Sequence, residues 1–367
     1  MPAASPCRIE KLRTAKRLLA HSDERGRSSV CHTQARRSYR GFMNFSRSCL
    51  VLLGALLPGL VQAQAQGWPN RQIRLIVPQG AGSGTDVIAR LVATGVTERL
   101  GQSIVVENMP AALGILAHQT AARAAPDGAT LLFATVSGLA INPVTIKALP
   151  YDPTRDFAPV AMVVDFAPQM LSVNAELPVK SVAEFIDYAK ASANKLSYAL
   201  DVSVTAAVVS ARLLNKRAGL DMTEIPYRSA AQMASDVANG RVQATVSSLA
   251  ASGSMIEAGK IRPLGWMGSK RFSYLPQIPT VSEIVPGVVV DAWFIIVAPA
   301  GTPSDIVKRL NHEISDYLKS SPEIGARFAK VGLGISSAGS PEGLMQFIHN
   351  EQERWRALAQ ELKIEAQ

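Results

Sequence analysis

The fold is decided by residues 73–93, which read IRLIVPQGAGSGTDVIARLVA. Ile73–Val77 is apolar except for Arg74 and predicts a strand covered on both faces. Asp86–Leu100 carries apolar side chains near helical spacing, with Thr85 as the candidate N-cap. A glycine-rich segment lies between the two. The stretch therefore predicts a strand, a tight loop and a helix, which together open a parallel α/β sheet.

Similar units follow along the chain. Ile104–Glu107 and Thr130–Ala134 are strand candidates, with a helix predicted over Ala117–Ala125 between them. This β-α-β-α-β order favours a parallel sheet with helices on both faces. A second α/β stretch has strand candidates at Met170–Val173, Leu196–Ala199, Thr223–Ile225, Ala244–Ser247, Ile261–Met267 and Val288–Val297. The pattern predicts an α/β protein of two lobes, between which the chain crosses, with a cleft at the strand ends.

The charge of the chain is concentrated at its start. The 367 residues carry 38 basic and 29 acidic side chains, a net charge of +9. Residues 1–66 hold 11 of the basic and 3 of the acidic side chains, which leaves 27 against 26 from Gly67 onwards. A nucleic-acid site needs a basic surface, so we expect no nucleic-acid partner. Cys7, Cys31 and Cys49 also lie in the early stretch, so we expect no disulfide or Cys-ligated zinc beyond it.

Residues 43–65, MNFSRSCLVLLGALLPGLVQAQA, have the layout of a secretory signal peptide. Arg47 supplies the positive region. The apolar run from Cys49 to Val61 has 13 residues, whereas a membrane-spanning helix takes about 20. Small residues predict cleavage near Ala63 or Ala65, which would give an exported, periplasmic protein.

Residues 1–42 form a basic extension that we do not expect in the mature protein. The simplest interpretation is that the true start is Met43 and that the extension is not translated. The alternative is that Arg36-Arg37 belongs to a twin-arginine export signal.

No pattern typical of a hydrolase or a metal site follows the leader. The remaining histidines, His118, His312 and His349, show neither H-E-x-x-H nor any paired spacing. We expect each of them to be solvated or to cap a helix. The G-x-S-x-G turn of α/β hydrolases is also absent from the sequence. We therefore expect no metal, no cofactor and no catalysis.

The loop Gln79–Asp86 is the strongest candidate for a binding site. Glycines let backbone N–H groups approach a ligand closely, and the N-terminus of the following helix adds partial positive charge. With the hydroxyl groups of Ser83 and Thr85, the loop predicts a site for a carboxylate or phosphate. Two alternatives stay open. The loop could serve packing alone, or it could belong to a dinucleotide fold with Glu107 as its acidic residue, although Thr85 stands where the third glycine would fall.

Several blocks of the sequence resemble the Bug family, the periplasmic receptors of tripartite tricarboxylate transporters. They are the opening stretch, IVVENMP at 104–110, AAPDGATLL at 124–132, LPYDPTRDFAPV at 149–160, VKSVAEFIDYA at 179–189, IPY at 225–227, AGKIR at 258–262, LPQIPTVSE at 275–283 and AWFIIVAPAGTP at 292–303. The resemblance covers the chain from Trp68 to the C-terminus. It implies a two-lobed type II periplasmic binding protein whose ligands are commonly small carboxylates.

Two loops depart from the family pattern. The form R-P-G-A-G-G-N is replaced by MPAALGI at 109–115, which lacks the arginine and most of the glycines. The form Y-A-S-S-G-x-G-[ST]-P-x-H-L is similar to residues 198–209, where Asp201 adds an acid and Thr205 is retained. Ser247 stands where members often carry Asp. These changes predict a narrower or more apolar pocket, in which Asp201 would disfavour a second carboxylate and suit an amine or hydroxyl group.

The sequence thus predicts a monomeric receptor that captures a small organic acid for the membrane components of a tripartite transporter. Lobe 1 is predicted to hold residues 68–167 and 292–367, and lobe 2 residues 168–291. The predicted ligand-binding residues are Gly82, Ser83, Gly84, Thr85, Asp86, Thr135, Ser137, Ser203, Thr205 and Ser247.

Two other functions stay open. An exported enzyme could act on a small acid in the same cleft, with Asp86 or Asp201 as its acid–base candidates. A receptor could also report its ligand to a signalling partner, and the sequence does not separate this role from transport.

Overall fold

The computed structural model describes residues 67–192, 196–201 and 204–366, and it describes Asp201 for its backbone alone. The predicted basic extension, the predicted signal peptide and Ser203 lie outside the described residues. The strands are β1 Ile73–Val77, β2 Ile104–Asn108, β3 Thr130–Thr135, β4 Phe157–Pro168, β5 Met170–Asn174, β6 Ser197–Asp201, β7 Thr223–Tyr227, β8 Ala244–Ser247, β9 Ile261–Trp266, β10 Asp291–Pro299 and β11 Gly334–Ala338. The helices are α1 Gly84–Leu100, α2 Ile115–Ala122, α3 Asn142–Thr145, α4 Val182–Ala191, α5 Ala206–Arg217, α6 Ala230–Ala238, α7 Leu249–Glu257, α8 Ser304–Ser320, α9 Pro322–Lys330 and α10 Pro341–Glu361.

The first sheet has six strands in the order β11-β4-β10-β3-β1-β2. β1 pairs in parallel with β2 and with β3, as the β-α-β-α-β order predicts. The other pairs are antiparallel: β10 with β3, β4 with β10 and β11 with β4. The sheet is therefore mixed, whereas we expected a parallel one. β4 was not predicted from the sequence, and it contains Pro159 and ends at Pro168. Proline inside a strand normally argues against that assignment, but Pro159 here lies next to a register shift between β4 and β10.

The second sheet has five strands in the order β7-β6-β8-β5-β9. β6 pairs in parallel with β7 and β8, and β5 pairs antiparallel with β8 and β9. Helices flank both sheets, which confirms the predicted α/β class. None of the helices in the described ranges is both long and apolar enough to cross a membrane.

The chain passes between the sheets at two places that lie side by side. Gln169 alone separates β4 from β5, and the chain returns to the first sheet at Asp291, where β10 begins. Asp291 pairs with Pro168, so the two passages are neighbouring strands.

The same strands bring the carboxyl end of β3, in the first sheet, towards the carboxyl end of β8, in the second sheet. Thr135, the last residue of β3, lies opposite Phe294 of β10. Ser247, the last residue of β8, lies opposite Met170 of β5. Residues at the ends of β3 and β8 therefore face the region where the chain crosses, which is where a ligand cleft is expected in an α/β fold.

Candidate functional site

The loop from Gly80 to Ser83 forms a tight turn that leads into α1. The Ser83 N–H donates to the Gly80 carbonyl at 3.2 Å, and Gly82 has a φ of +80°, a backbone conformation that glycine adopts without steric cost. Ser83 is the N-cap of α1, and its Oγ accepts from the Asp86 N–H at 3.2 Å. The expectation that Thr85 caps the helix is wrong by two positions, because Thr85 already lies in the first helical turn.

Asp86 braces this loop from beneath. The residue is 3% exposed, and its carboxylate accepts hydrogen bonds from the Gly82 N–H at 2.9 Å, from Asn108 Nδ2 at 2.9 Å and from Arg90 Nε at 3.1 Å. Burial by itself would raise the pKa of Asp86, but the bonds from Arg90, Gly82 and Asn108 outweigh it and hold the pKa below its ordinary value. The carboxylate therefore stays ionised, and its acceptor sites are directed to the protein.

A ligand could accept hydrogen bonds from some N–H groups of this loop and not from others. The Gly82 N–H is already bonded to Asp86. The N–H groups of Gly84 and Thr85 belong to the first turn of α1, where the helix itself supplies no acceptor. Ser83 and Thr85 add hydroxyl groups, although Thr85 is only 8% exposed. The loop can thus donate two adjacent N–H groups, at the positive end of a 17-residue helix, to an anion.

The loop at 109–115 lies beside the glycine loop. It contains a 3-10 turn over Ala111–Gly114, in which Ala112 and Leu113 have φ of +50° and +58°. A Cβ on Gly114 would lie 2.7 Å from that of Pro78, the residue that follows β1. The loop therefore keeps a backbone that favours glycine although it carries alanine and leucine, and the Leu113 side chain is 65% exposed.

His118 connects this loop to the segment after β3. The expectation that it is solvated or caps a helix is wrong, because its side chain is 1% exposed and its Nδ1 bonds the Gly114 carbonyl at 2.8 Å. Burial lowers the pKa of His118 to about 4, so the ring is neutral at physiological pH. The ring lies directly against Gly138, where a Cβ would come within 1.8 Å of Nε2. The Gly138 carbonyl accepts from the Tyr151 hydroxyl at 2.7 Å.

The positions of Thr135 and Ser137, two of the predicted ligand-binding residues, depend on this packing. Thr135 is buried at the end of β3, and Ser137 is half-buried and begins a π-helical turn over Ser137–Ile141. Single π-helical turns are frequent at functional sites. His118 and Tyr151 therefore hold the segment that presents these two hydroxyl groups.

The residues predicted on the second sheet have local partners. Thr205 is the N-cap of α5, with its Oγ1 3.5 Å from the Val208 N–H. Ser247 is buried, and its Oγ is 2.7 Å from Ser252 Oγ. A hydroxyl group in such a contact keeps a lone pair or a proton for a ligand.

The two sides approach each other at the glycine loop. A Cβ built on Gly84 would lie 3.8 Å from that of Ala250, in the first turn of α7. On another part of the same interface, a Cβ on Gly332 would lie 2.7 Å from that of Leu249. The start of α7, which follows β8, therefore stands directly opposite the start of α1.

Three residues of this site are not among the predicted ligand-binding residues: Gln79, which lies in the predicted loop, Arg90 and Asn108. Arg90 follows Asp86 by four residues on α1, a spacing that is typical of an ion pair and could have been noticed. Asn108 comes close because β1 and β2 are parallel and place it opposite Val77. The Gln79 Oε1 atom is buried and has no hydrogen-bond partner among the described residues, so a donor from a ligand or a water would satisfy it.

Two surface depressions of the protein do not coincide with this site. Depressions of about 590 and 710 Å³ share Pro143 and lie along α10 and the segment before β4, and no residue of the glycine loop lines them. No three side chains of His, Cys, Asp or Glu come together as a metal site within the part of the chain that the structure describes. The candidate site is therefore identified by its hydrogen-bonding groups.

Comparisons with known proteins point to one family. Residues 88–364 match the model of the tripartite tricarboxylate transporter family receptor. Protein BugT of Bordetella pertussis is 32% identical over 299 residues, which are 81% of this chain and 91% of BugT. Rpa4515 of R. palustris, solved with adipate, has 35% identity and a TM-score of 0.74, and the match covers 82% of this chain and 100% of that one. MatC of Rhodopseudomonas palustris, solved with bound malate, has 30% identity and a TM-score of 0.69 over 79% of this chain and 99% of that one.

The hydrogen bonds to the Asp86 carboxylate predict that the free energy of unfolding depends on pH. The stabilisation from a carboxylate with a lowered pKa is fully present above the ordinary value of 3.8 and is lost as the pH falls through the folded-state pKa. Asp86→Asn should lower the free energy of unfolding at pH 7 by about 1–3 kcal/mol, because buried donors lose a charged acceptor. The difference in melting temperature between this variant and the wild type should shrink as the pH is lowered from 5 towards 3.

The matched control is Asp305→Asn, in the exposed first turn of α8. Its effect on the melting temperature should be small at every pH. A difference in melting temperature between Asp86→Asn and the wild type that stays constant down to pH 3 would contradict the conclusion that the ionised Asp86 carboxylate stabilises the loop.

Proposed function

The chain belongs to the tripartite tricarboxylate transporter family receptors, and on that premise we propose that it captures a small organic acid in the periplasm and delivers it to the membrane components of a tripartite transporter. The family match confirms the resemblance to the Bug family that the sequence predicts. The solved relatives with adipate and with malate support a carboxylate as the ligand. In this proposal the protein binds its ligand without changing it.

The first turn of α1 is the observation that carries the proposal. A ligand carboxylate would accept from the N–H groups of Gly84 and Thr85 and from the hydroxyl groups of Ser83 and Thr85. Charge-assisted bonds of this kind contribute about 1.5–3 kcal/mol each. Gly82 and Asp86 would not touch the ligand, because they are bonded to each other. They would hold the turn in the shape that presents these donors.

The opposite wall would come from the carboxyl ends of β3, β6 and β8. Thr135 and Ser137 would contribute from the first sheet, and Ser203, Thr205 and Ser247 from the second. The short distance between Gly84 and Ala250 supports a ligand held between the starts of α1 and α7. Asp201 ends β6 on the same wall, and its acid would disfavour a second carboxylate.

Binding would be accompanied by rotation of two lobes, residues 68–167 with 292–367 and residues 168–291. The hinge would lie at Phe166–Pro168 and Asp291–Ala292. The pairing of Asp291 with Pro168 and of Ala292 with Ala167 supports this, because two strands that are hydrogen-bonded to each other can turn as one unit. A ligand would drive closure only by as much as it prefers the closed form.

Export would depend on the leader. Residues 43–65 would direct the chain to the periplasm and be removed near Ala63 or Ala65, and residues 1–42 would not be part of the mature protein. The chain would act there as a monomer.

An exported enzyme and a signalling receptor are the competing functions. Asp86 is a poor general base, because its lone pairs accept from Gly82, Arg90 and Asn108 and its pKa is lowered. Mass spectrometry of an acid incubated with the protein separates an enzyme from a receptor: recovery of the unaltered acid supports binding alone, and an altered mass supports catalysis. Loss of uptake in a strain without the transporter's membrane components supports transport.

Thr85→Val tests the carboxylate site directly. The substitution removes the hydroxyl group at nearly constant volume and leaves the Ser83 cap intact, so stability should change little. Affinity for adipate or malate, measured by calorimetry, should fall about tenfold, the loss expected for one charge-assisted hydrogen bond. Thr94→Val on the exposed face of the same helix is the control and should bind as the wild type does. Equal affinity of the two variants would remove the first turn of α1 from the site.

The opposite wall makes a separate prediction about ligand class. If Asp201 faces the ligand, a monocarboxylate or an amine-bearing acid should bind more tightly than a symmetric dicarboxylate. Asp201→Asn should remove like-charge repulsion and improve binding of the dicarboxylate selectively. Calorimetry with glutamate, adipate and a monocarboxylate of similar length measures this. Tight binding of adipate that Asp201→Asn leaves unchanged would count against the idea that this wall selects against a second carboxylate.

A further inference from the structure

The last turn of α10 contacts the last turn of α5, which belongs to the second sheet. Arg217 donates from Nε and Nη2 to the two carboxylate oxygens of Glu361, at 3.1 and 3.0 Å. The Lys216 ammonium group donates to the Glu361 main-chain carbonyl, a favourable position for a cation at a helix C-terminus. The side chains of Arg217 and Glu361 are about one-third exposed, at 32% and 30%.

α10 is held to the first sheet at its middle. The buried Glu351 side chain accepts from Trp293 Nε1 of β10 at 2.9 Å, and Gln352 Nε2 donates to the Leu139 carbonyl, just after β3, at 2.8 Å. This part of the helix therefore lies level with the region where the chain crosses between the sheets. Glu361 follows Glu351 by ten residues, so it lies about 15 Å further along the helix axis.

α5 reaches the same point from the other side. It begins after Thr205, at the carboxyl end of β6, and its 12 residues end at Arg217, about 18 Å from the cleft end of the helix. The ion pair thus connects an element of the first sheet to an element of the second sheet, at a place remote from the glycine loop and from the predicted hinge.

The chain makes room for this contact at Gly287. Gly287 lies in the segment before β10 and has a φ of +81°, and a Cβ there would lie 1.8 Å from Arg217 Nη1. Arg354 of α10 also donates to the Val289 carbonyl in the same segment, at 2.9 Å. In this arrangement the guanidinium group occupies the space that a side chain at residue 287 would take.

We propose that Arg217 and Glu361 form a strut that favours the closed arrangement of the lobes and so sets ligand affinity from outside the cleft. The pair occurs in the arrangement in which Gly84 stands next to Ala250. A rotation of about 15° about the hinge moves a point 15 Å away by about 4 Å, enough to break an ion pair. Because α10 is held to the first sheet and α5 flanks the second, rotation out of this arrangement would move the two charges away from their paired positions, and the pair shifts the population towards the arrangement in which it forms.

This inference rests on the proposed function, because it concerns the affinity of the same site. Arg217 and Glu361 are positioning residues: they would act on the ligand only through the lobe arrangement. A contact that merely stabilised the fold would change the melting temperature without changing the distance between the lobes.

The test compares Arg217→Gln with Arg212→Gln. Both arginines lie on α5, both bind a glutamate through two hydrogen bonds, and they are similarly exposed, at 32% and 35%. They differ in their partners. Glu224, the partner of Arg212, lies on β7 of the second sheet, which α5 flanks, whereas Glu361 lies on α10, which is held to the first sheet. Calorimetry with adipate should give a dissociation constant about two- to fivefold higher for Arg217→Gln, the range that a partly exposed ion pair supports. Arg212→Gln should match the wild type.

A distance measurement tests the strut without any ligand. Spin labels on Thr94→Cys of α1 and Ser254→Cys of α7, both exposed, report the separation of the two sides, because the chain from Gly67 onwards has no cysteine of its own. In the ligand-free protein, Arg217→Gln should shift the electron-resonance distance distribution to longer values, and Arg212→Gln should leave it unchanged. The charge swap Arg217→Glu with Glu361→Arg should restore both the distances and the affinity.

Distances or affinities that are the same for Arg217→Gln and Arg212→Gln overturn the strut, and so does a charge swap that restores neither. If the wild type binds none of adipate, malate, glutamate and a monocarboxylate of similar length, the proposed ligand class fails. The spin-label distances then decide the strut by themselves.

Discussion

The buried carboxylate of Asp86 is the interaction on which the candidate site depends. Burying a charge is costly unless hydrogen bonds compensate it, and Asp86 receives them from Gly82 in its own loop, from Arg90 on α1 and from Asn108 at the end of β2. Three elements are thereby tied to one group. The first turn of α1 is left with N–H groups that donate to no acceptor among the described residues, at the place where the two sheets approach each other.

Much of the fold follows from local patterns. β1 was predicted at its observed bounds, and β2 and β3 to within one residue, because apolar runs between turn residues encode strands directly. The antiparallel half of the first sheet could not be found in this way. It depends on pairings such as Thr135 with Phe294, which join distant parts of the chain. β11, GISSA, is short and polar and carries no strand pattern of its own.

Which residues bind a ligand stays a prediction, to which the structure adds the contacts of the loop. Glycines before a helix identified the loop, but which N–H groups a ligand could use depends on the bond from Gly82 to Asp86, a contact in three dimensions. His118 illustrates the opposite case, since a lone histidine in a helix gives no sequence signal that it is buried. It is buried because Gly138 has no side chain and leaves room for the ring. Ser203 lies outside the described residues, so its predicted role stays a prediction.

The central claim is that an acid binds to the first turn of α1 while Asp86 faces the protein. A crystal structure with a bound dicarboxylate or amino acid tests it most directly. We expect a carboxylate oxygen within about 2.7–3.2 Å of the Gly84 and Thr85 nitrogens, with Asp86 still bonded to Gly82 and Asn108. An acid bound elsewhere, or an Asp86 side chain turned towards the ligand, would contradict it.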